Sequence, residues 1–226
     1  MCLRGRRGWC AATQGDWHAE RRHGADLADL QSRVRGCRRD RGVFRGARAG
    51  HAGFSNVPYG DGHARQVLDV YVPPGPGPFP VVVWIHGGGW QAGDKSGAAG
   101  EFTLLSSAGI AVVGINYRYS TQAIFPAQIH DCKAAIRMLR RNAVAWRLDP
   151  SRVGVWGSSA GGHLTALVAT SGEVMPLEGT VGGNLAYDSL VQAAADYFGP
   201  TDLFTMGGSH DLPTSPESKL VGCAVG

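Results

Sequence analysis

Two glycine-rich segments carry the chemistry in this chain. Gly157-Ser158-Ser159-Ala160-Gly161 follows the apolar run Val153-Gly154-Val155-Trp156 and precedes a second apolar stretch at Leu164, Leu167 and Val168. A serine between a strand and a helix, flanked by small residues, sits on a sharp elbow with its hydroxyl projecting above the sheet. The helix N-terminus beneath it favours developing negative charge. The second segment, His86-Gly87-Gly88-Gly89-Trp90, comes directly after the run Val81-Val82-Val83-Trp84-Ile85. Its glycines leave backbone N–H groups open to a ligand, as the oxyanion of acyl transfer requires. A GxSxG match alone arises by chance and a glycine run after a strand is often only a turn. The two in this order and context point to nucleophilic attack on an acyl carbon, with Ser159 as nucleophile and the N–H groups of Gly88, Gly89 and Ala160 as oxyanion donors. A relative that keeps the fold without catalysis is the bland alternative.

These segments need rigid elements behind them. Val67-Leu68-Asp69-Val70-Tyr71-Val72, stopped by Pro73-Pro74, reads as a strand. The β-branched runs Val81 to Ile85 and Ile110 to Ile115, with Val153 to Trp156, read as strands buried on both faces, which implies a parallel sheet. Helical stretches lie between them, around Glu101 to Ser107 and over Ile129 to Trp146. In the longer one, Ile129, Cys132, Ile136, Leu139, Ala143 and Trp146 recur at steps of three and four, while Lys133, Arg137, Arg140 and Arg141 are expected on the opposite, polar side. Pro150 is expected to close that segment. Val191 to Phe198 supplies a later strand ending at Gly199-Pro200. Alternation of helix and strand gives an α/β fold with helices on both faces of a mostly parallel sheet.

With 226 residues, 43% of them hydrophobic, the chain can bury one substantial core. The formal charge is +4, but more than half of the 22 Lys and Arg residues fall in the first fifty positions, and the remainder is mildly acidic. Residues 1–52 are therefore read as an arginine-rich leader with no stable fold, either a solvated arm or not true coding sequence, and residues 53–226 as the domain. Nucleic-acid binding through that leader is a minor reading, and no basic face is indicated on the domain itself. The five cysteines, Cys2, Cys10, Cys37, Cys132 and Cys223, show no CxxC pairing. Neither a zinc site nor a disulfide framework is expected, and the thiols are taken as reduced. No apolar run is long enough for a signal peptide or a membrane span, so a cytoplasmic location is expected.

The stretch from about Phe54 to Gly222, roughly three-quarters of the chain, resembles the α/β-hydrolase superfamily in its hormone-sensitive-lipase-like and acetylxylan/feruloyl-esterase-like branches. The motifs that carry the resemblance are His86-Gly87-Gly88-Gly89-Trp90 with Gly93-Asp94-Lys95, then Asn116-Tyr117-Arg118-Tyr119-Ser120, Phe125-Pro126-Ala127 and Asp149-Pro150-Ser151-Arg152. They continue with Gly157 to His163 and Gly199-Pro200-Thr201-Asp202. The resemblance implies a serine hydrolase of short acyl, acetyl or feruloyl esters, small or polysaccharide-linked, with no metal or organic cofactor. Gly88, Gly89 and Ala160 match its oxyanion-hole positions. A peptidase or arylformamidase of the same fold, and a noncatalytic module completed by a partner chain, remain as alternatives.

In this fold the triad runs Ser, then Asp or Glu, then His, the last two from loops after the final strands. About 67 residues follow Ser159, and nothing after Ser218-Lys219-Leu220-Val221-Gly222 matches the family's closing section. The expectation is that the acid, the base and the last strands are missing, leaving an exposed apolar sheet edge and an impaired enzyme. Among residues present, His163 and His210 are the candidate bases and Asp202 the candidate acid, each with a plainer reading: a packed histidine, a loop histidine and a loop-structuring aspartate. His86 is expected to orient the oxyanion loop, His130 to be a surface or packing residue, and Asp94 and Lys95 to form a local clamp.

Overall fold

The computed structural model describes residues 53–225. The arginine-rich leader expected at 1–52 lies outside the described residues.

A six-stranded sheet forms the frame: β1 (Phe54–Pro58), β2 (Val67–Tyr71), β3 (Phe79–Ile85), β4 (Ala111–Ile115), β5 (Leu148–Ser158) and β6 (Ala193–Tyr197), in the order β1-β2-β4-β3-β5-β6. The strands β4, β3, β5 and β6 run parallel, and β2 and β1 join antiparallel at one side. The sheet is mostly parallel, as expected, with an antiparallel edge, a common arrangement in large α/β sheets.

The helices are α1 (Ala98–Leu105), α2 (Ala127–Trp146), α3 (Ala160–Thr170), α4 (Met175–Glu178) and α5 (Pro216–Val221). They lie on both faces, as the strand alternation shows. Val70, Val83 and Val113 pack with Ile129, Ile136, Leu139, Leu164 and Val168 of α2 and α3. Their neighbours Tyr71, Trp84 and Val112 point the other way, onto Ala98 and Phe102 of α1. All five residues of β4 are buried, whereas β3 buries Val81, Val83 and Ile85 and leaves Val82 and Trp84 half-exposed.

Three local expectations need correction. Pro150 does not end the segment: β5 begins at Leu148 and carries Pro150 through a stretch of shifted register opposite Phe79 to Val81, where a missing N–H costs no ladder bond. Lys133 and Arg137 are not on a solvated face of α2 but fully buried. The segment after α3 folds over them, and Glu178 of α4 accepts from Lys133 Nζ at 3.1 Å and from Arg137 Nη1 at 2.5 Å. Helical periodicity locates the apolar stripe but cannot show that a second layer covers the polar one. Cys132 is a buried free thiol, but Cys223 is disulfide-bonded, a pairing that sequence spacing does not reveal.

β6 forms the sheet edge next to β5, and all five of its residues are exposed, with Phe198 beyond it 80% exposed. Among the described residues, no helix is long and apolar enough to cross a membrane.

Candidate active site

Ser159 is the N-cap of α3 at φ 55°, ψ −125°, a backbone region that a non-glycine residue occupies only when its surroundings enforce it. The surroundings are the two motif glycines. A Cβ on Gly157 would lie 2.8 Å from the carbonyl oxygen of Ile85 and closer still to that of Gly161. On Gly161 it would run into the carbonyls of Ile85 and His86, the latter at 2.7 Å. The start of α3 is therefore pressed against the end of β3, and the chain turns at Ser159 to get there. The Ser159 N–H donates to Tyr197 O of β6 at 3.0 Å, which ties the elbow to the neighbouring strand. Ser159 itself is exposed, and Ala160 is buried as the first residue of α3, where the opening N–H groups have no partner within the helix.

The loop after β3 folds back over this elbow. Gly88 at φ 102° and Gly89 at φ 56° make a tight turn in which Gly88 O accepts from the N–H groups of Gln91 and Ala92, both at 3.0 Å. A Cβ on Gly87 would meet Ser158 O at 2.9 Å and Ser159 Cβ at 3.5 Å, so the two motifs touch. Trp90, 1% exposed, anchors the far side of the turn and takes a backbone bond from Ser120 at 2.8 Å. The structure thus sets Gly87 against Ser158 and Ser159, with Gly88 and Gly89 following in the same loop and Ala160 opening α3.

The other candidates are occupied differently. The His163 ring meets the Trp90 indole edge-on, with centroids 5.3 Å apart, and its Nδ1 is buried without a partner. Burial lowers its pKa to about 4, with the Asp196 charge opposing, so the ring is neutral near pH 7. His210 Nδ1 lies 3.1 Å from Glu217 Oε1, and Asp202 Oδ1 accepts from the N–H of Phe204 at 3.1 Å, an aspartate structuring its own loop. Among the described residues, Ser159 Oγ has no hydrogen-bond partner. His130 is half-buried, with Nε2 2.9 Å from Pro176 O.

Asp94 and Lys95 do not clamp each other. Lys95 Nζ pairs with Asp69 Oδ2 at 2.9 Å, and Asp94 caps Ser96 and accepts from Asn116 Nδ2 at 2.9 Å. Sequence neighbours at the start of a 3-10 turn point apart, so each finds a partner elsewhere. Two residues that the sequence did not single out also hold the site. Asp131, fully buried in α2, accepts from Arg118 and from Gln66 Nε2. Arg65, in the loop between β1 and β2, reaches His86. Neither belongs to a spaced motif, since their partners stand up to 65 positions away in sequence.

Comparison with known proteins finds esterases among the relatives of this chain. A family model described as BD-FAE matches residues 68–225. Esterase LipQ of Mycobacterium tuberculosis is 35% identical over 164 residues, covering 70% of this chain and 38% of that protein. The probable carboxylic ester hydrolase LipM of the same organism is 31% identical over 156 residues, covering 67% and 36%. Among solved structures, a truncated form of a carbohydrate esterase from gut microbiota superposes with TM-score 0.71 at 36% identity, covering 75% of this chain and 65% of that one. A bifunctional GH43-CE protein of Bacteroides eggerthii gives TM-score 0.71 at 38% identity, over 76% and 24%. The chain spans less than two-fifths of the length of these curated relatives.

Proposed function

Because the chain belongs to the BD-FAE family of α/β-hydrolases, we propose that it carries the nucleophile and oxyanion site of a serine carboxylic-ester hydrolase. The observation that carries this reading is the contact of Gly87 with Ser158 and Ser159, which sets the glycine loop against a strained serine elbow. In the proposed reaction Ser159 Oγ attacks the ester carbonyl, and its proton passes to a general base. The N–H groups of Gly88, Gly89 and Ala160 hold the oxyanion, each such donor being worth about 3–4 kcal/mol in a water-poor site. Collapse expels the alcohol and leaves an acyl-enzyme, which water then hydrolyses.

The base is the weak point of the described domain. His163 packs on Trp90 and His210 pairs with Glu217, while Asp202 serves its own loop. If the described residues alone supply the site, with no base among them at Ser159, turnover is expected to fall by about 10⁴-fold or more from that of a complete triad, leaving what the oxyanion hole alone supplies. Short acyl, acetyl or feruloyl esters, free or polysaccharide-linked, are the proposed substrates. The carbohydrate esterases among the structural neighbours support the polysaccharide-linked class. Hydrolysis of p-nitrophenyl acetate against acetanilide, in the chain and in Ser159→Ala, tests the reading. Ester turnover lost in the variant, with no amide turnover, supports it; amide turnover points to a peptidase or arylformamidase, and turnover that survives Ser159→Ala refutes the role of the serine.

A second reading, a noncatalytic module completed by a partner chain, draws on the exposed edge of β6. It predicts a defined complex by size exclusion and no covalent chemistry at Ser159.

A further inference from the structure

Arg65 lies in the loop between β1 and β2, yet its guanidinium is committed to the glycine loop after β3. Nε donates to Tyr117 O at 2.8 Å, and Nη2 reaches Gly93 O at 3.2 Å and His86 Nε2 at 3.1 Å. Cζ stands 3.7 Å above the centroid of the Tyr119 ring. A guanidinium only donates hydrogen bonds, so His86 Nε2 must be the acceptor and carry no proton. The neutral ring then bears its hydrogen on Nδ1, which donates to Gly87 O at 2.8 Å. The Tyr117 ring stacks on the imidazole at 4.3 Å, and its hydroxyl donates to His86 O at 3.0 Å. Burial, with the Arg65 charge assisting, lowers the His86 pKa to about 4, so the ring stays neutral near pH 7 and its tautomer is well defined.

This chain of contacts ends on a catalytic group. The peptide joining Gly87 and Gly88 is planar and trans, so fixing the Gly87 carbonyl toward His86 turns the Gly88 N–H to the opposite side. We infer that Arg65 is a positioning residue of the oxyanion site: through His86 it selects the Nδ1–H tautomer that anchors the Gly87 carbonyl and thereby aims the Gly88 N–H. The claim about the oxyanion rests on the reading of Ser159 and Gly88 given above; the claim about the His86 tautomer does not. Arginine suits the task because its planar fork spans three acceptors at once, which a lysine ammonium on a single stem does not.

The test is nitrogen-15 spectroscopy of the histidine rings in the full chain at pH 7, beside the rate of phosphonylation at Ser159 by a fluorophosphonate. The wild type should show His86 protonated on Nδ1 alone. Arg65→Met should populate the Nε2–H form and slow phosphonylation tenfold or more. A wild-type ring protonated on Nε2 overturns the inference, as does an Arg65→Met spectrum identical to wild type. A shifted tautomer with an unchanged labelling rate overturns the positioning role. Should Arg65→Met fail to fold, the wild-type tautomer decides alone. A wild type that never labels removes the acyl-enzyme reading while leaving the tautomer measurement to judge Arg65 separately.

Discussion

Glycine-to-alanine replacement in a helix ordinarily stabilises it, by about 1 kcal/mol from propensity alone. At Gly161, in the first turn of α3, the sign should reverse. The added methyl group would meet the carbonyl oxygens of Ile85 and His86, the latter at 2.7 Å, and both belong to backbone that cannot rotate away. Ile85 is the last residue of β3 and is held between β4 and β5. Relief therefore requires α3 to move off the sheet, an overpacking cost of about 1–3 kcal/mol that outweighs the propensity gain. The net loss should be up to about 2 kcal/mol, a fall in Tm of up to about 8 °C for a domain of this size. Gly100 in α1 provides the control, since a Cβ there meets nothing within 4 Å. Gly100→Ala should gain about 0.5–1 kcal/mol, so the same chemical change has opposite signs at the two sites. Thermal and urea unfolding of the full chain read both. A Gly161→Ala variant as stable as Gly100→Ala would refute the claim that close approach of α3 to β3 enforces the elbow.

Further outcomes follow from the buried charges. Glu178→Gln leaves Lys133 and Arg137 buried without their carboxylate and should cost near the low end of about 3–5 kcal/mol, because Glu178 itself keeps some exposure. A urea-unfolding loss below about 1 kcal/mol would contradict that assignment. Acid should act through His86 and His163, both lowered to about 4 in the folded protein by burial. The unfolded chain takes up protons at these groups first as pH falls below about 6.5. Stability should therefore be full above that pH and decline toward pH 4, by up to about 1.4 kcal/mol per pH unit for each histidine. Urea midpoints flat from pH 7 to 4.5 would show that these rings are not held neutral.

The sequence made the frame legible where one residue class dominates a short run. The strands β3, β4 and β5 announce themselves as β-branched runs, and the two glycine motifs fall where the sheet ends because the glycines are needed for close approach, a demand written into composition. The length of α2 follows from its apolar spacing. What could not be read depends on contacts between distant segments. The burial of Lys133 and Arg137 needs Glu178, 41 to 45 positions later. Lys95 turns to Asp69, not to adjacent Asp94, because the register of β2 against β4 brings that carboxylate near. Arg65 belongs to no motif, and only the folded loop reveals that it faces His86. His163 illustrates the middle ground: its place on α3 was readable, its edge-on contact with Trp90 was not.

The central claim, that Ser159 is the nucleophile and stands beside an oxyanion site, is tested most directly by treating the purified chain and Ser159→Ala with a fluorophosphonate and mapping any adduct by mass. The account predicts a slow adduct on Ser159 that is absent from the variant. An adduct on another residue, or none from soluble and folded protein after long exposure, would contradict it.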